Sequence, residues 1–233
     1  RKTWLIETVT NKLDAMRNAQ QAKQKAQFGS LMIICHIKNA QLECKCWSYK
    51  ARCVFRGDCV KDEEGNWAVR SEQGTSASHV MGAIIVDAIS HMPGMYGEGC
   101  GATAAYYQTD LGKDCPPIWI TLPRDRWPKS WYNSDGTDKY IQPVVRMVGN
   151  LYGHPLAGLY WFEYCDAAIR RCGFRPIKGW ECLYLHPTLG IVLSVYVDDF
   201  KCAGIKENLP KIWKMLTDPK LGNLQLDPPQ DLE

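Results

Sequence analysis

Two adjacent aspartates, Asp198 and Asp199, are the residues whose types and spacing most directly suggest chemistry. They follow an apolar, alternating run over residues 191–197, which predicts a buried or half-buried strand, and residues 200–203 can form a returning strand. Aspartate disfavours strands and favours turns, so the pair is predicted at the tip of a tight hairpin. Their carboxylates could bind Mg²⁺, although an Asp-Asp pair also forms ordinary solvated turns, and the surrounding sequence must decide.

A second candidate lies in the segment YKARCVFRGD, where Lys50, Arg52, Val54 and Arg56 alternate. On a strand these residues share one face, so the three cations could bind phosphates. A solvated strand face is the alternative interpretation of the same pattern.

The composition is that of an ordinary globular chain of 233 residues, 45% hydrophobic, with a net charge of +3. No apolar run of about 18 residues and no signal-peptide layout is visible, so neither a membrane nor a secreted protein is indicated. The eleven cysteines contain no CxxC pair, which favours buried free thiols in a reducing, intracellular compartment, cytoplasmic or nuclear.

The elements that must position these residues follow from periodicity. Helices are predicted over residues 1–27, 79–92, 102–111, 156–172 and 207–217. Strands are predicted over residues 30–38, 118–122, 180–186 and 191–203. His36, inside the first of these strands, is expected to be a packed or edge residue and not a ligand. Residues 1–27 are interpreted as a helical extension or a connector within a polyprotein.

Seven segments occur in an ordered series: KARCVFRGD, AAYYQTDL, WITLP, RWPKSW, LYGHPLAG, CGF and YVDDFKCAG. Together they resemble the reverse transcriptase domain of copia-type retrotransposons, and the LYGHPLAG form is similar to the branch found in dinoflagellate genomes. The resemblance covers roughly residues 28–233. It implies an α+β fold, the fingers and palm of a right-hand polymerase, with the thumb and RNase H absent. The palm would be an antiparallel sheet with the strands over 180–186 and 191–203, packed on the helices over 79–92 and 156–172.

The resemblance also implies a two-metal phosphoryl transfer with two Mg²⁺ ions, deoxynucleoside triphosphates and a primer on an RNA or DNA template. Asp198 would be a metal ligand with Asp199 beside it, and Tyr196 would support the hairpin. Lys50 and Arg52 would approach the triphosphate, and Tyr106 would exclude a ribose 2′-OH.

One position departs from the family pattern, because Gly101 stands where the first metal-binding aspartate is expected. Glu98 is three residues away and would point to the opposite face of a strand. Asp110 lies nine residues further on, at the far end of the helix predicted over 102–111. Neither is expected to replace the missing ligand, so the polymerase is expected to be weak or inactive.

Two other functions remain open from the sequence. The chain could be a non-catalytic nucleic-acid-binding or interaction remnant of a decaying retroelement that keeps the basic strand. It could also be an unrelated Mg²⁺-dependent phosphohydrolase using Asp198 and Asp199, although no other carboxylate cluster supports that interpretation.

Overall fold

A computed structural model of the chain describes residues 2–68 and 80–232. The chain divides into two compact units. The first unit contains residues 1–72 and 110–157, and the second contains residues 73–109 and 158–233. Each unit is built around its own six-stranded sheet, so the fold is mixed α+β, as the sequence predicts.

Strands and helices alternate irregularly along the chain. In chain order they are β1 (Trp4–Asn11), α1 (Lys12–Gln21), β2 (Gln27–Lys38), β3 (Ser48–Phe55), β4 (Lys61–Asp62), α2 (Val80–Ser90), β5 (Met95–Gly101), β6 (Ile118–Thr121), β7 (Pro143–Met147), α3 (Ala157–Arg171), β8 (Arg175–Pro176), β9 (Leu183–His186), β10 (Ile191–Tyr196), β11 (Asp199–Ile205), α4 (Leu209–Thr217) and β12 (Gln230–Asp231).

The sheet of the first unit has the strand order β1-β7-β6-β2-β3, with β4 also paired to β2. The β2–β6 pair is parallel, and the other pairs are antiparallel. Helix α1 packs Ala15 and Ala19 against Phe28 and Val144 of the sheet. Small side chains on the buried stripe of a helix allow its backbone to lie close to a sheet.

The prediction of one helix over residues 1–27 is wrong for its first part. Residues 4–11 form β1, which pairs with β7, and only Lys12–Gln21 is helical. The segment WLIETVTN is rich in β-branched and aromatic residues, and pairing with β7 favours the strand over the helical spacing of its apolar residues. Within the first unit, β1 is an edge strand of the main sheet.

The sheet of the second unit has the order β12-β5-β11-β10-β9-β8, and every neighbouring pair is antiparallel. Ile191, Leu193 and Val195 of β10 face a core that includes α3 and α4. Val192 faces the opposite side, where Val86 of α2 packs. Because both faces of the sheet are covered, the sequence of β10 is an almost continuous apolar run.

Most elements of the second unit match their predictions. Helices α2, α3 and α4 lie within the predicted helices, except that residue 79 lies outside the described residues. Helix α3 ends before Gly173, whose φ of +92° is the left-handed conformation expected after a helix. Strand β9 begins at Leu183, three residues later than predicted.

The helix predicted over residues 102–111 is absent. Only Ala105–Gln108 forms a single 3₁₀ turn, preceded by Ala104 in the left-handed region at φ +49°. The buried Gln108 side chain donates to the carbonyls of Thr103 and Gln225, both at 2.8 Å. These bonds hold the segment in a non-helical path, which residue propensity alone could not reveal.

All eleven cysteines are free thiols, but the prediction that they are buried holds only for part of the set. The buried ones are Cys165, Cys172, Cys182 and Cys202. The exposed ones are Cys35, Cys44 and Cys46, and the remaining four are half-buried. Among the described residues, no helix is long and apolar enough to cross a membrane.

Candidate functional site

The hairpin between β10 and β11 turns through two residues, Val197 and Asp198, and Tyr196 pairs with Asp199 across its base. The predicted tip with both aspartates is therefore wrong by one residue, because Asp199 is already the first residue of the returning strand. Val197 has a φ of +56°, which is unusual for a β-branched side chain. The buried indole of Trp161 donates from Nε1 to the Val197 carbonyl at 2.5 Å and holds this turn in place.

Gly101 lies directly beside the hairpin. Strand β5 pairs with β11, and Gly101 is opposite Asp199 in the register. The backbone N–H of Ala102 donates to the Asp198 carbonyl at 2.6 Å. Because directly opposite residues of an antiparallel pair project to the same face, a side chain at position 101 would lie next to that of Asp199. The structure thus brings the predicted vacant position and the hairpin together.

A third carboxylate, which the sequence pattern does not indicate, lies on the other side of Gly101. Leu226 bridges to Ala102, and the N–H of Asp227 donates to the Gly101 carbonyl at 2.8 Å. A Cβ atom added to Gly101 would lie 3.4 Å from Oδ2 of Asp227. Asp227, Gly101 and Asp199 therefore form one row across neighbouring strands, with the glycine between the two acids.

The Asp227 carboxylate already has a hydrogen-bond partner, since the Thr103 hydroxyl donates to Oδ1 at 2.7 Å. In sequence, Asp227 stands in a short tail before Pro228 and Pro229 and more than one hundred positions from Gly101. No local pattern relates the two residues. The alternation of Leu224 and Leu226 is the one sequence signal that this tail runs along the core as an extended segment.

Glu98 does not replace the missing ligand. Its Oε2 accepts a hydrogen bond from Nε1 of Trp213 at 2.5 Å. Glu98 is opposite Cys202, whose side chain belongs to the core formed with α3 and α4. The expectation that Glu98 points away from the face of position 101 is therefore confirmed. Asp110, the other acid near position 101 in sequence, belongs to the first unit.

The negative charge of the aspartates around the β10–β11 hairpin is only partly compensated by cations. Partial burial, and then the charge of Asp198, raise the pKa of Asp199, and Lys201 opposes this rise. The Lys201 ammonium is shared with both carboxylate oxygens of Asp87, at 2.8 and 2.9 Å. Burial, followed by the charges of Asp227, Asp199 and Glu98, raises the pKa of Cys100 to about 12.

The carboxylates at the hairpin do not fit the two-ion centre that the resemblance implies. Among residues 2–68 and 80–232, no group of three or more His, Cys, Asp or Glu side chains could hold a metal ion. Asp198 and Asp199 are neighbours on one hairpin, and Asp227 is separated from Asp199 by the Gly101 strand. The chain supplies oxygen ligands of the right chemistry for Mg²⁺ but not in a converging arrangement.

Tyr106 lies close enough to the hairpin for the charge of Asp198 to affect the pKa of its hydroxyl. Burial is the main cause that raises the pKa of its hydroxyl, and the negative charge of Asp198 adds to the effect. Tyr106, Trp161, Tyr184 and Val197 help to line a cavity of about 90 Å³. Tyr196, in contrast, is exposed. The structure therefore assembles Tyr106, Tyr196, Asp198 and Asp199 around one turn, while their chemical roles remain predictions.

Lys50 and Arg52 lie on β3 in the first unit, opposite His36 and Ile34 of β2. Lys38 belongs to the same strand face, and we call Lys38, Lys50 and Arg52 the cationic face. All three are exposed, and none forms an ion pair with a described residue. Arg56 differs, because its guanidinium pairs with Asp58 at 3.0 Å.

Comparison with known proteins points to retrotransposon polyproteins. No protein-family model matches the chain. It is 22% identical over 182 residues to the transposon Ty1-DR4 Gag-Pol polyprotein of Saccharomyces cerevisiae, covering 76% of the chain and 10% of the polyprotein. The truncated transposon Ty1-A Gag-Pol polyprotein of the same yeast is 22% identical over 153 residues, covering 65% of the chain and 11% of that protein. The chain thus spans about a tenth of the length of these relatives.

One solved structure found in the comparison is a telomerase from Candida albicans in complex with a fragment of telomeric RNA. It superposes with a TM-score of 0.45 and 8% sequence identity, covering 97% of this chain and 43% of the telomerase chain.

Proposed function

We propose that the chain derives from the RNA-directed DNA polymerase of a copia-type retrotransposon and is an impaired nucleotidyltransferase. In that role its substrates are deoxynucleoside triphosphates and a primer on an RNA or DNA template. The cofactor implied by the resemblance is Mg²⁺, which the present arrangement of carboxylates does not fit. The ordered sequence blocks and the similarity to Ty1 Gag-Pol polyproteins support this origin. The free thiols support a reducing compartment, cytoplasmic or nuclear.

The observation that carries the proposal is the direct pairing of Gly101 with Asp199. It places the hairpin carboxylates beside a position that has no side chain of its own. Loss of an anionic ligand at a metal site raises the reaction barrier by about 4 kcal/mol, which corresponds to a rate loss of about a thousandfold. We therefore assign the hairpin to an incomplete catalytic site and derive no catalytic step from it.

The other residues of the site keep the roles implied by the resemblance. Asp198 would be the metal ligand, with Asp199 beside it, and Tyr106 would close the sugar pocket against a 2′-OH. Lys50 and Arg52 bind phosphate, for which a cation and a guanidinium fork are suited. Tyr196 supports the turn that carries Asp198.

Primer extension on an RNA template with Mg²⁺ tests this function. We expect Gly101→Asp to extend a primer at least tenfold faster than the wild type, and the double variant Gly101→Asp/Asp198→Asn to lose that gain. Gly101→Asn is the matched control, because it adds a similar volume without a charge. If Gly101→Asp shows no gain over Gly101→Asn, in either extension or Mg²⁺ affinity, the missing-ligand explanation is wrong.

A second function, nucleic-acid binding without catalysis, is favoured by the cationic face. Its three cations are exposed on a two-stranded ribbon, with no carboxylate partner among the described residues. Each contact between such a cation and a phosphate releases a counterion, so binding should weaken steeply with salt.

The test is the salt dependence of binding to a primer–template duplex, measured by fluorescence anisotropy. We expect Lys50→Ala/Arg52→Ala to reduce the slope of log K against log salt by about 1 to 2. Lys45→Ala is the control, because Lys45 is also exposed between β2 and β3 but is paired with Glu43 at 2.6 Å. Two outcomes would exclude the cationic face as the binding surface. The first is binding that does not depend on salt, and the second is an equal loss of binding in Lys50→Ala/Arg52→Ala and in Lys45→Ala.

A further inference from the structure

A groove in the first unit is lined by one cation, Arg146, which forms no ion pair with a described residue. Its volume is about 560 Å³, within the range of small-molecule sites. The polar and aromatic residues that line it are Thr8, Thr10, Asn18, Gln24, Trp119 and Arg146, and no acidic residue lines it among those described.

The groove exists because α1 covers only part of its sheet face. Val144 and Arg146 are two residues apart on β7 and so project to the same face. Ala15 and Ala19 of α1 pack on Val144, whereas Arg146, further along the strand, stays only half-buried. The helix thus leaves part of the sheet uncovered, and there Arg146 and Trp119, which are paired across β7 and β6, form the base of the groove.

Arg146 is held in position by its neighbours. Its guanidinium carbon lies 5.6 Å from the centre of the Trp119 ring, a cation–π arrangement. Its backbone N–H donates to the Thr8 hydroxyl at 2.9 Å, and this hydroxyl in turn donates to the Leu5 carbonyl at 2.6 Å. The indole thus lies beside the guanidinium, whose N–H groups are suited to binding an anionic ligand.

The electrostatics favour an anion at this position. Among the described residues, no carboxylate lies within ion-pair distance of Arg146. Partial burial lowers the pKa of its guanidinium, with Cys115 as a minor opposing influence. A half-buried cation without an anionic partner costs free energy, and a bound anion would offset this cost.

We propose that this groove binds a phosphate-bearing ligand of the size of one nucleotide, with its phosphate on the Arg146 fork. Arg and phosphate pair through two parallel hydrogen bonds, which suits a single cation without a carboxylate. The neutral hydroxyl and amide groups of Thr10, Asn18 and Gln24 can bind the sugar or base. The proposal does not depend on the hairpin of the second unit or on polymerase activity.

Calorimetric titration of the full chain with deoxyadenosine monophosphate, deoxyadenosine and a short single-stranded oligodeoxynucleotide tests the proposal. We expect the monophosphate or the oligonucleotide to bind and Arg146→Gln to weaken that binding at least tenfold. Arg17→Gln, an exposed cation on α1 of the same unit, should leave it unchanged. Deoxyadenosine, which lacks the phosphate, should not bind. Arg146-dependent binding of the monophosphate identifies a free nucleotide as the source of the phosphate, and such binding of the oligonucleotide alone identifies a strand.

A second measurement covers the case in which Arg146→Gln does not fold. In the wild type, the Nε–H resonance of Arg146 should shift in a saturable manner on titration with the phosphate-bearing ligand. If neither phosphate-bearing ligand shifts it, or if a folded Arg146→Gln binds both as the wild type does, the proposal is overturned. Arg146 would then serve only to cover Trp119.

Discussion

The substitution Gly101→Asp would place a third carboxylate in the row between Asp199 and Asp227. The backbone allows it, because the φ of Gly101 lies outside the left-handed region and the nearest atom to a new Cβ is Oδ2 of Asp227, at 3.4 Å. This distance is an ordinary contact, so the change introduces charge without a steric clash. Its effect should therefore be mainly electrostatic.

The magnitude follows from the strand spacing. Neighbouring strands lie about 5 Å apart, so each pair of carboxylates repels by about 0.8 kcal/mol in water and by about 3 kcal/mol at an effective dielectric constant of about 20. Asp227 is exposed, and Asp199 is only partly shielded from solvent, which favours the lower value. With two neighbours, we expect Gly101→Asp to be about 2 kcal/mol less stable than Gly101→Asn when no divalent cation is present.

Mg²⁺ should reverse this loss, because a cation that binds only the folded state stabilises it. At a concentration about 100-fold above its dissociation constant, the gain is about 2.7 kcal/mol. The assay is thermal unfolding of both variants in chelator and in Mg²⁺. Equal responses of Gly101→Asp and Gly101→Asn to Mg²⁺ would show that a carboxylate added at position 101 does not create a Mg²⁺ site and would refute the reasoning.

Two further predictions concern the hairpin. Val197 has a φ of +56°, a conformation that asparagine tolerates better than β-branched residues do. Val197→Asn should therefore be about 1 kcal/mol more stable than Val197→Thr in chemical unfolding. An Asn variant that is less stable than the Thr variant would contradict this. The pKa of Asp199 is raised from 3.8 by partial burial and by Asp198. The stability that this group contributes is therefore complete below about pH 4 and is lost as the pH rises through its folded pKa. Asp199→Asn should match the wild type near pH 3 and exceed its unfolding free energy at pH 7, and a gap that does not change with pH would count against this pKa shift.

The parts of the fold that could be predicted are those with strong local periodicity. The apolar run of β10 and the helical spacing of Phe162, Cys165 and Ile169 in α3 both indicate their elements correctly. Burial on one stripe or on both faces imposes these patterns on the sequence itself.

The parts that could not be predicted depend on contacts between distant residues. Strand β5 contains the sequence MYGEGCG, whose three glycines disfavour a strand, and it forms one through its pairing with β11 and β12. Asp227 reaches Gly101 only because the tail over 223–227 runs beside Ala102. The substitution at position 101 could be seen in the sequence, but the acid on its far side could not.

The central claim, that the hairpin is half of a catalytic site, is tested most directly by primer extension with the wild-type chain and its Asp198→Asn variant. With an RNA template and Mg²⁺, we predict that the wild type extends the primer no faster than Asp198→Asn. Extension by the wild type that Asp198→Asn abolishes would show that the site is complete despite Gly101, and would contradict the account.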